Sequence, residues 1–208
     1  MTYIFFDVGA HNGGDSLPLV YRNIDVIVYA FEPTPELINE LKINSIQFPN
    51  YNIIPKAVSN YNGKAIFNIA GQGDWGCGSL NKFYDSSVLE KTWPGRSDFK
   101  ITTSIEVEVI TLKKFIEENN IKKIDYLHID AQGQDLEVLM GLEEYIDIVR
   151  SGVVEMPSSH TNKLYETQKY IVDDALEFLR KHNFIITDIK ANDPQGNEIN
   201  IFFSKNSS

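Results

Sequence analysis

The chain reads as a single α/β domain, an open and mostly parallel sheet with helices on both faces, and three features of the sequence predict it. Short apolar runs at 3–6, 26–31 and 124–129 have the continuous hydrophobicity of strands buried on both sides. Helix-period stretches separate them. The last two strand-like runs, 184–189 and 198–203, are joined by the turn 192–197 and so must pair antiparallel.

Taken in order, the run Tyr3 to Phe6 leads to Asp7 at the strand end, then to Gly9, Gly13 and Gly14, then to a helix from about Gly14 to Tyr21. A strand, a glycine loop and a helix start can form a ligand cradle, because glycine lets the backbone turn sharply and the first helical N–H groups are unpaired. The same loop is also what a plain tight turn requires. The second run ends in Phe31-Glu32-Pro33, and a helix follows with Thr34 as its cap, Pro35 at its first position and Leu37, Ile38 and Leu41 as its apolar stripe. Tyr51 to Pro55 adds a third strand, and Lys64 to Ala70 a further one that grows the sheet outward. Crossovers of one hand stack the strand exits on one edge.

Residues 71–103 lose this periodicity and carry Gly71, Gly73, Gly76 and Gly78 together with Trp75 and Trp93, so they are expected to be an irregular lid on the acceptor side of the same domain rather than a solvated loop. Phe83, Tyr84 and Phe99 in that segment suit either stacking on sugar rings or a small core of the lid itself. Ser104 to Ile110 alternates as a strand with one wet face, and Thr111 caps the helix after it. The strand 124–129 ends at Asp130, the strand 149–155 at Glu155, and 169–182 is an amphipathic helix.

Composition bounds the function. The chain has 208 residues, 42% of them hydrophobic, which is enough for one well-buried domain. Its net charge of −10 argues against a nucleic-acid partner, since neutralising phosphates needs a basic surface. Cys77 is the single cysteine, so no intrachain disulfide can form, and the expected location is the reducing cytoplasm. No apolar run approaches the ~18 residues that span a bilayer, and no membrane partner is expected.

Asp7, Glu32, Asp130 and Glu155 place a carboxylate at each of four strand ends. Buried carboxylates are costly unless hydrogen-bonded or met by a cation, so four on one edge point to a ligand site. Glu32 suits a ribose, whose two hydroxyls one carboxylate can accept. Apart from Lys56 the edge lacks cations, which disfavours a polyphosphate and favours a cationic ligand. S-adenosylmethionine, with a ribose, a sulfonium and an amino-acid end, meets these demands.

Six blocks resemble, in order, the FkbM-type S-adenosylmethionine-dependent methyltransferases: Asp7-Val-Gly-Ala-His-Asn-Gly13, Phe31-Glu32-Pro33, the segment 52–59, Val107 to Leu112, Ile129 to Glu137 and Val154-Glu-Met-Pro157. The resemblance implies the class I methyltransferase Rossmann-like fold, a seven-stranded mostly parallel sheet with an antiparallel last strand. It also implies O-methylation of a sugar, glycan or other small secondary metabolite. One position departs: the family's usual Asp-Val-Glu-Gly is Asp130-Ala131-Gln132-Gly133 here, which removes a charge while keeping the shape and bears on activity and metal use.

On this reading Asp7, Gly9, Ala10, His11, Asn12 and Gly13 hold the donor's methionine end. Glu32 and Pro33 take the ribose, and Ala57 and Val58 neighbour the adenine. Asp130 is the first choice for general base or acceptor positioning, with binding of the donor's ammonium as its other role, followed by Glu155 and His160. A divalent metal between Asp130, Glu155 and a loop donor is chemically reasonable and is not predicted. Two other classes are weighed. A nicotinamide oxidoreductase would want Gly-x-Gly-x-x-Gly, which the loop lacks. A non-catalytic S-adenosylmethionine-binding protein would keep the donor pocket without turnover.

Overall fold

The computed structural model describes residues 2–22, 25–70, 75–96 and 99–205. Strands β1 (Tyr3–Val8), β2 (Val26–Phe31) and β3 (Tyr51–Ile54) alternate with helices α1 (Leu17–Arg22) and α2 (Pro35–Asn44). After the short β4 (Ala57–Val58) and β5 (Gly63–Ala70) come α3 (Ser86–Thr92), β6 (Ile101–Ile110) and α4 (Leu112–Asn119). The remainder is β7 (Tyr126–Ile129), α5 (Asp135–Met140), β8 (Ser151–Pro157), α6 (Val172–Lys181), β9 (Phe184–Ala191) and β10 (Glu198–Lys205). Thr111 caps α4 by accepting from the Lys114 N–H at 3.2 Å, a cap worth about 1 kcal/mol. Thr34 precedes α2 but makes no side-chain cap there.

Seven strands form one sheet in the order β3-β2-β1-β7-β8-β10-β9, with the neighbours parallel except at β10, which is antiparallel to both β8 and β9. This is the sheet expected of a class I methyltransferase. Alternation along β1 sends Phe6 and Val8 to one face, where they join Leu112, Leu136 and Leu179 of α4, α5 and α6 in the larger core. Phe5 goes to the other face with Leu17, Val20 and Leu41 of α1 and α2. Over β7, β8 and β10 that second face leaves a groove lined by Tyr126, His128, Val153 and Phe202.

The expectation that 64–70 extends the same sheet is corrected. β4, β6 and β5 form a separate three-stranded sheet, with β5 and β6 antiparallel from Gly63↔Val109 onward. The reason is the wet face of β6: a strand with exposed alternate positions does not fit inside a sheet covered on both sides.

The irregular reading of 71–103 is corrected in part. Gly71 and Gly73 lie outside the described residues, but a 3-10 turn spans Trp75–Cys77, α3 occupies Ser86–Thr92, and β6 starts at Ile101 rather than 104. The signal for α3 is Asp85, whose carboxylate accepts the Ser87 N–H at 2.9 Å. Leu89, Trp93 and Phe99 pack with Leu164 and Tyr165 into a small core, in which Phe83 stacks on Tyr165 with centroids 5.0 Å apart. Among the described residues, no helix is long and apolar enough to cross a membrane.

Candidate active site

Two loops meet at the carboxyl ends of β1 and β7. The N–H groups of Gly9 and Ala10 both donate to the Phe31 carbonyl, at 3.1 and 3.0 Å, folding the first loop back onto β2. Gly9 has φ +81°, and a side chain there would collide with the Asp130 carbonyl. Gly13, at φ +82°, likewise leaves no room for a side chain beside Leu17 and Leu41. At both positions the missing side chain lets protein approach protein, the Asp130 carbonyl at Gly9 and the Leu17 and Leu41 side chains at Gly13.

His11 sits at φ +50°, and its N–H donates to Glu32 Oε2 at 2.9 Å, while the Thr34 N–H donates to Glu32 Oε1 at 2.8 Å. The Thr34 hydroxyl also bonds to this carboxylate. Glu32 is thus held from both sides by backbone, and it is only 5% exposed. Burial pushes its pKa up to about 7 against the pull of those hydrogen bonds.

The loop after β7 is folded by Asp135, whose two oxygens accept from the N–H groups of Ala131 at 2.6 Å and Gly133 at 2.9 Å. That closure leaves Gln132 at φ +48°. The Gln132 amide donates to Asp130 Oδ1 at 2.6 Å, and its oxygen accepts from the Tyr165 hydroxyl at 2.6 Å. Tyr165 also reaches the Cys77 carbonyl at 3.0 Å, and the Ser79 hydroxyl donates to the Gln132 carbonyl at 2.6 Å. Gln132 is therefore the joint between Asp130 and the 77–79 strap. Burial pushes Asp130 up, opposed by His128 and by the Gln132 hydrogen bond.

Two cavities flank this joint and share Gly9, His11, Gly76, Asp130 and Gln132. The first is a cleft between Glu32, Pro33, Ala57 and Val58 on one side and Gly78 and Leu80 of the strap on the other, with only about 40 Å³ of free space. The second holds about 310 Å³ and is lined by Ala10, Asn12, Glu155, Trp93, Asp193 and Glu198, among others. Of the residues expected from the sequence, Glu32, Pro33, Ala57 and Val58 lie on the cleft, Ala10, Asn12 and Glu155 on the cavity, and Gly9, His11 and Asp130 on both. Three others line neither. Gly13 is spent on packing, and His160 is exposed in a turn. Asp7 is one residue short of the end of β1, so its carboxylate points to the opposite face and bonds His128 Nδ1 at 2.9 Å. Burial pushes the His128 pKa down, but the hydrogen bond and charge of Asp7 outweigh this and raise it to about 9.

Residues from the end of the chain complete the cavity. Because β10 pairs with β8 as Glu198↔Pro157, the β9–β10 turn lies at the same edge as the end of β8. The Asn192 side-chain amide donates to Glu155, and Asn197 donates to the Thr92 carbonyl at 2.8 Å, tying the turn to α3. Burial, then the charges of Asp130, Glu198, Asp135 and Asp193, push Glu155 well above the usual carboxylate range. Glu198 is raised to about 8 by burial and by Asp130, Asp135 and Asp193, with Arg96 opposing. A hairpin turn read from sequence gives no sign of this placement. Among the described residues, no cluster of three His, Cys, Asp or Glu side chains could hold a metal ion.

Residues 7–186 match the family described as the methyltransferase FkbM domain. The curated 2-O-methyltransferase NoeI of Sinorhizobium fredii is 23% identical over 169 residues, a match spanning 79% of this chain and 66% of that protein. Two solved structures resemble the fold. A putative rRNA-methylase from Clostridium thermocellum has a TM-score of 0.55 at 10% identity, over 100% of this chain and 89% of that one. TrmK of M. capricolum, in complex with S-adenosyl-homocysteine, has a TM-score of 0.52 at 14% identity, over 99% of this chain and 63% of that one.

Proposed function

Because the chain belongs to the FkbM methyltransferase family, we propose that it moves the methyl group of S-adenosylmethionine to a hydroxyl oxygen of a sugar, a glycan or another small secondary metabolite. The observation that carries this reading is the pair of cavities meeting at Asp130. A donor in the cleft and an acceptor in the cavity would face each other at one carboxylate.

The residues of the cleft fit the donor. Glu32 presents an acceptor-only group whose charged form two ribose hydroxyls would favour. Phe31, Val58, Phe67 and Leu80 offer apolar surface to a flat base. Admitting the donor requires the wall formed by Gly76, Gly78 and Leu80 to move outward. When bound, the donor supplies an electrophilic methyl on a sulfonium. The protein's part is then to hold an acceptor oxygen in line at roughly 3–3.5 Å and to take its proton. Asp130 is the base: burial raises its proton affinity, and the Gln132 amide fixes one of its oxygens and leaves the other for substrate. The 2-O-methyltransferase activity named for NoeI supports oxygen as the atom methylated.

Calorimetric titration with S-adenosylmethionine and S-adenosylhomocysteine, with NAD as control, tests the donor site. Micromolar binding of the first two and none of NAD is expected. Failure of both to bind would remove the reading, and binding without transfer to any hydroxyl acceptor would leave a donor-binding protein.

A further inference from the structure

We propose that the acceptor carries a protonated amine beside the hydroxyl to be methylated, as in an amino sugar or an aminocyclitol, and that Glu198 and Glu155 meet the amine while Trp93 meets an oxygen. The inference rests on the transfer reading above and concerns the acceptor alone.

The first support is a charge imbalance in a confined space. Among the described residues five carboxylates line the cavity, Asp15, Asp130, Glu155, Asp193 and Glu198, against the single guanidinium of Arg96. That guanidinium lies 4.1 Å over the Phe99 ring. Asp193 closes the turn, accepting the N–H groups of Gln195 at 2.9 Å and Glu198 at 2.8 Å. Asp130, Glu155 and Glu198 line the same space, where Gln132 donates to Asp130 and Asn192 to Glu155, and after burial the charge of Asp130 pushes both glutamates toward the protonated form. A neutral hydroxyl can fill a carboxylate's lone pairs but cannot offset its charge. An ammonium does both, and it would let the carboxyls release their protons.

The second support is independent of charge. Trp93 lines the same cavity and is 4% exposed, and its indole N–H has no hydrogen-bond partner among the described residues. A buried donor of this kind calls for an oxygen acceptor. The backbone carrying the ring is held in place by the Trp93 main-chain N–H on the Leu89 carbonyl and by Asn197 on the neighbouring Thr92 carbonyl. Carboxylates and one fixed N–H donor together suit a polyol that bears an amine, and an aromatic wall of Trp93 and Phe99 suits its ring.

Two matched trios and a pair test this: glucosamine, N-acetylglucosamine and glucose, the galactose equivalents, and 2-deoxystreptamine against inositol. Each is offered with radiolabelled S-adenosylmethionine, and binding is measured with S-adenosylhomocysteine present. Aminated members should exceed their partners at least tenfold in kcat/KM. Their binding should release protons, seen as heats that depend on the buffer. Glu198→Gln should abolish the preference with the affinity for S-adenosylhomocysteine unchanged, and Trp93→Phe should weaken the whole trio together. Equal or better use of the acetylated or neutral members, or no transfer to any aminated member, overturns the inference. Transfer to neutral members but not to aminated ones counts against this inference alone, whereas loss of S-adenosylhomocysteine binding in the same samples, or transfer to no member of any set, marks failure of the transfer reading.

Discussion

The cleft proposed for the donor and the cavity beside it share a floor, yet they are built by different means. In the cleft the acid is satisfied by the main chain, with the N–H groups of His11 and Thr34 on the two oxygens of Glu32. In the cavity several acids share one space, and side chains supply the hydrogen bonds to Glu155 and Asp130, from Asn192 and Gln132. Backbone positions follow from the strand order and tolerate many sequences. Side-chain positions depend on the particular residues, so the acceptor half is where relatives of one fold can diverge in substrate.

Asp130, which belongs to both halves, gives the sharpest break between them. Asp130→Asn should lower methyl transfer by about 10²- to 10⁴-fold, the usual worth of a positioned base, while S-adenosylhomocysteine affinity stays within about threefold. Unchanged transfer would take the base role from Asp130. Next in size, Glu32→Ala should weaken donor binding at least tenfold, by about 1.4 kcal/mol or more, with the melting temperature retained. In the wild type that affinity should fall as pH drops below about 7, because Glu32 then takes up a proton and loses its acceptor character. A flat profile from pH 5.5 to 8 would separate Glu32 from the ribose.

A smaller effect is expected at the joint. Gln132→Glu sets a second carboxylate against Asp130, where the two would share a proton. The acid limb of the rate profile should move up by about one pH unit, with donor affinity nearly unchanged, and an unmoved limb would reduce Gln132 to a spacer. The smallest effect belongs to neither half. His128 has a folded pKa of about 9, above the roughly 6.5 of an unfolded histidine. Its pairing with Asp7 therefore stabilises fully below pH 6.5, and the contribution is lost as pH rises through 9. His128→Asn should destabilise by on the order of 1–3 kcal/mol at pH 6, a gap that closes by about pH 10 in urea titrations.

The seven-stranded sheet was legible because buried parallel strands leave continuous apolar runs, as at Val26–Phe31, and because a short turn between the last strands admits one geometry. The place of Glu32 on the cleft was legible for a related reason: it directly follows a fully apolar strand and so stands at the strand's exit. Asp7 misled by one residue, since a shift of one position along a strand reverses the face. Glu198 and Asn192 could not be read as site residues, because their place depends on β10 lying between β8 and β9, which no local pattern encodes. The helix α3 was hidden by its length, as seven residues with a single buried leucine carry almost no periodicity.

The position of β10 also bears on how the chain comes into being. It follows β9 in the chain but lies between β8 and β9 in the sheet, so during synthesis β8 exposes an unpaired edge until residues 198–205 leave the ribosome. The first half, with Glu32 and the loop around His11, can settle before then. The larger cavity cannot, since its wall at Glu198 and its tie from Asn197 to α3 arrive together with β10. A nascent chain would thus form the cleft around Glu32 before the cavity beside it, with a sticky edge on view in between.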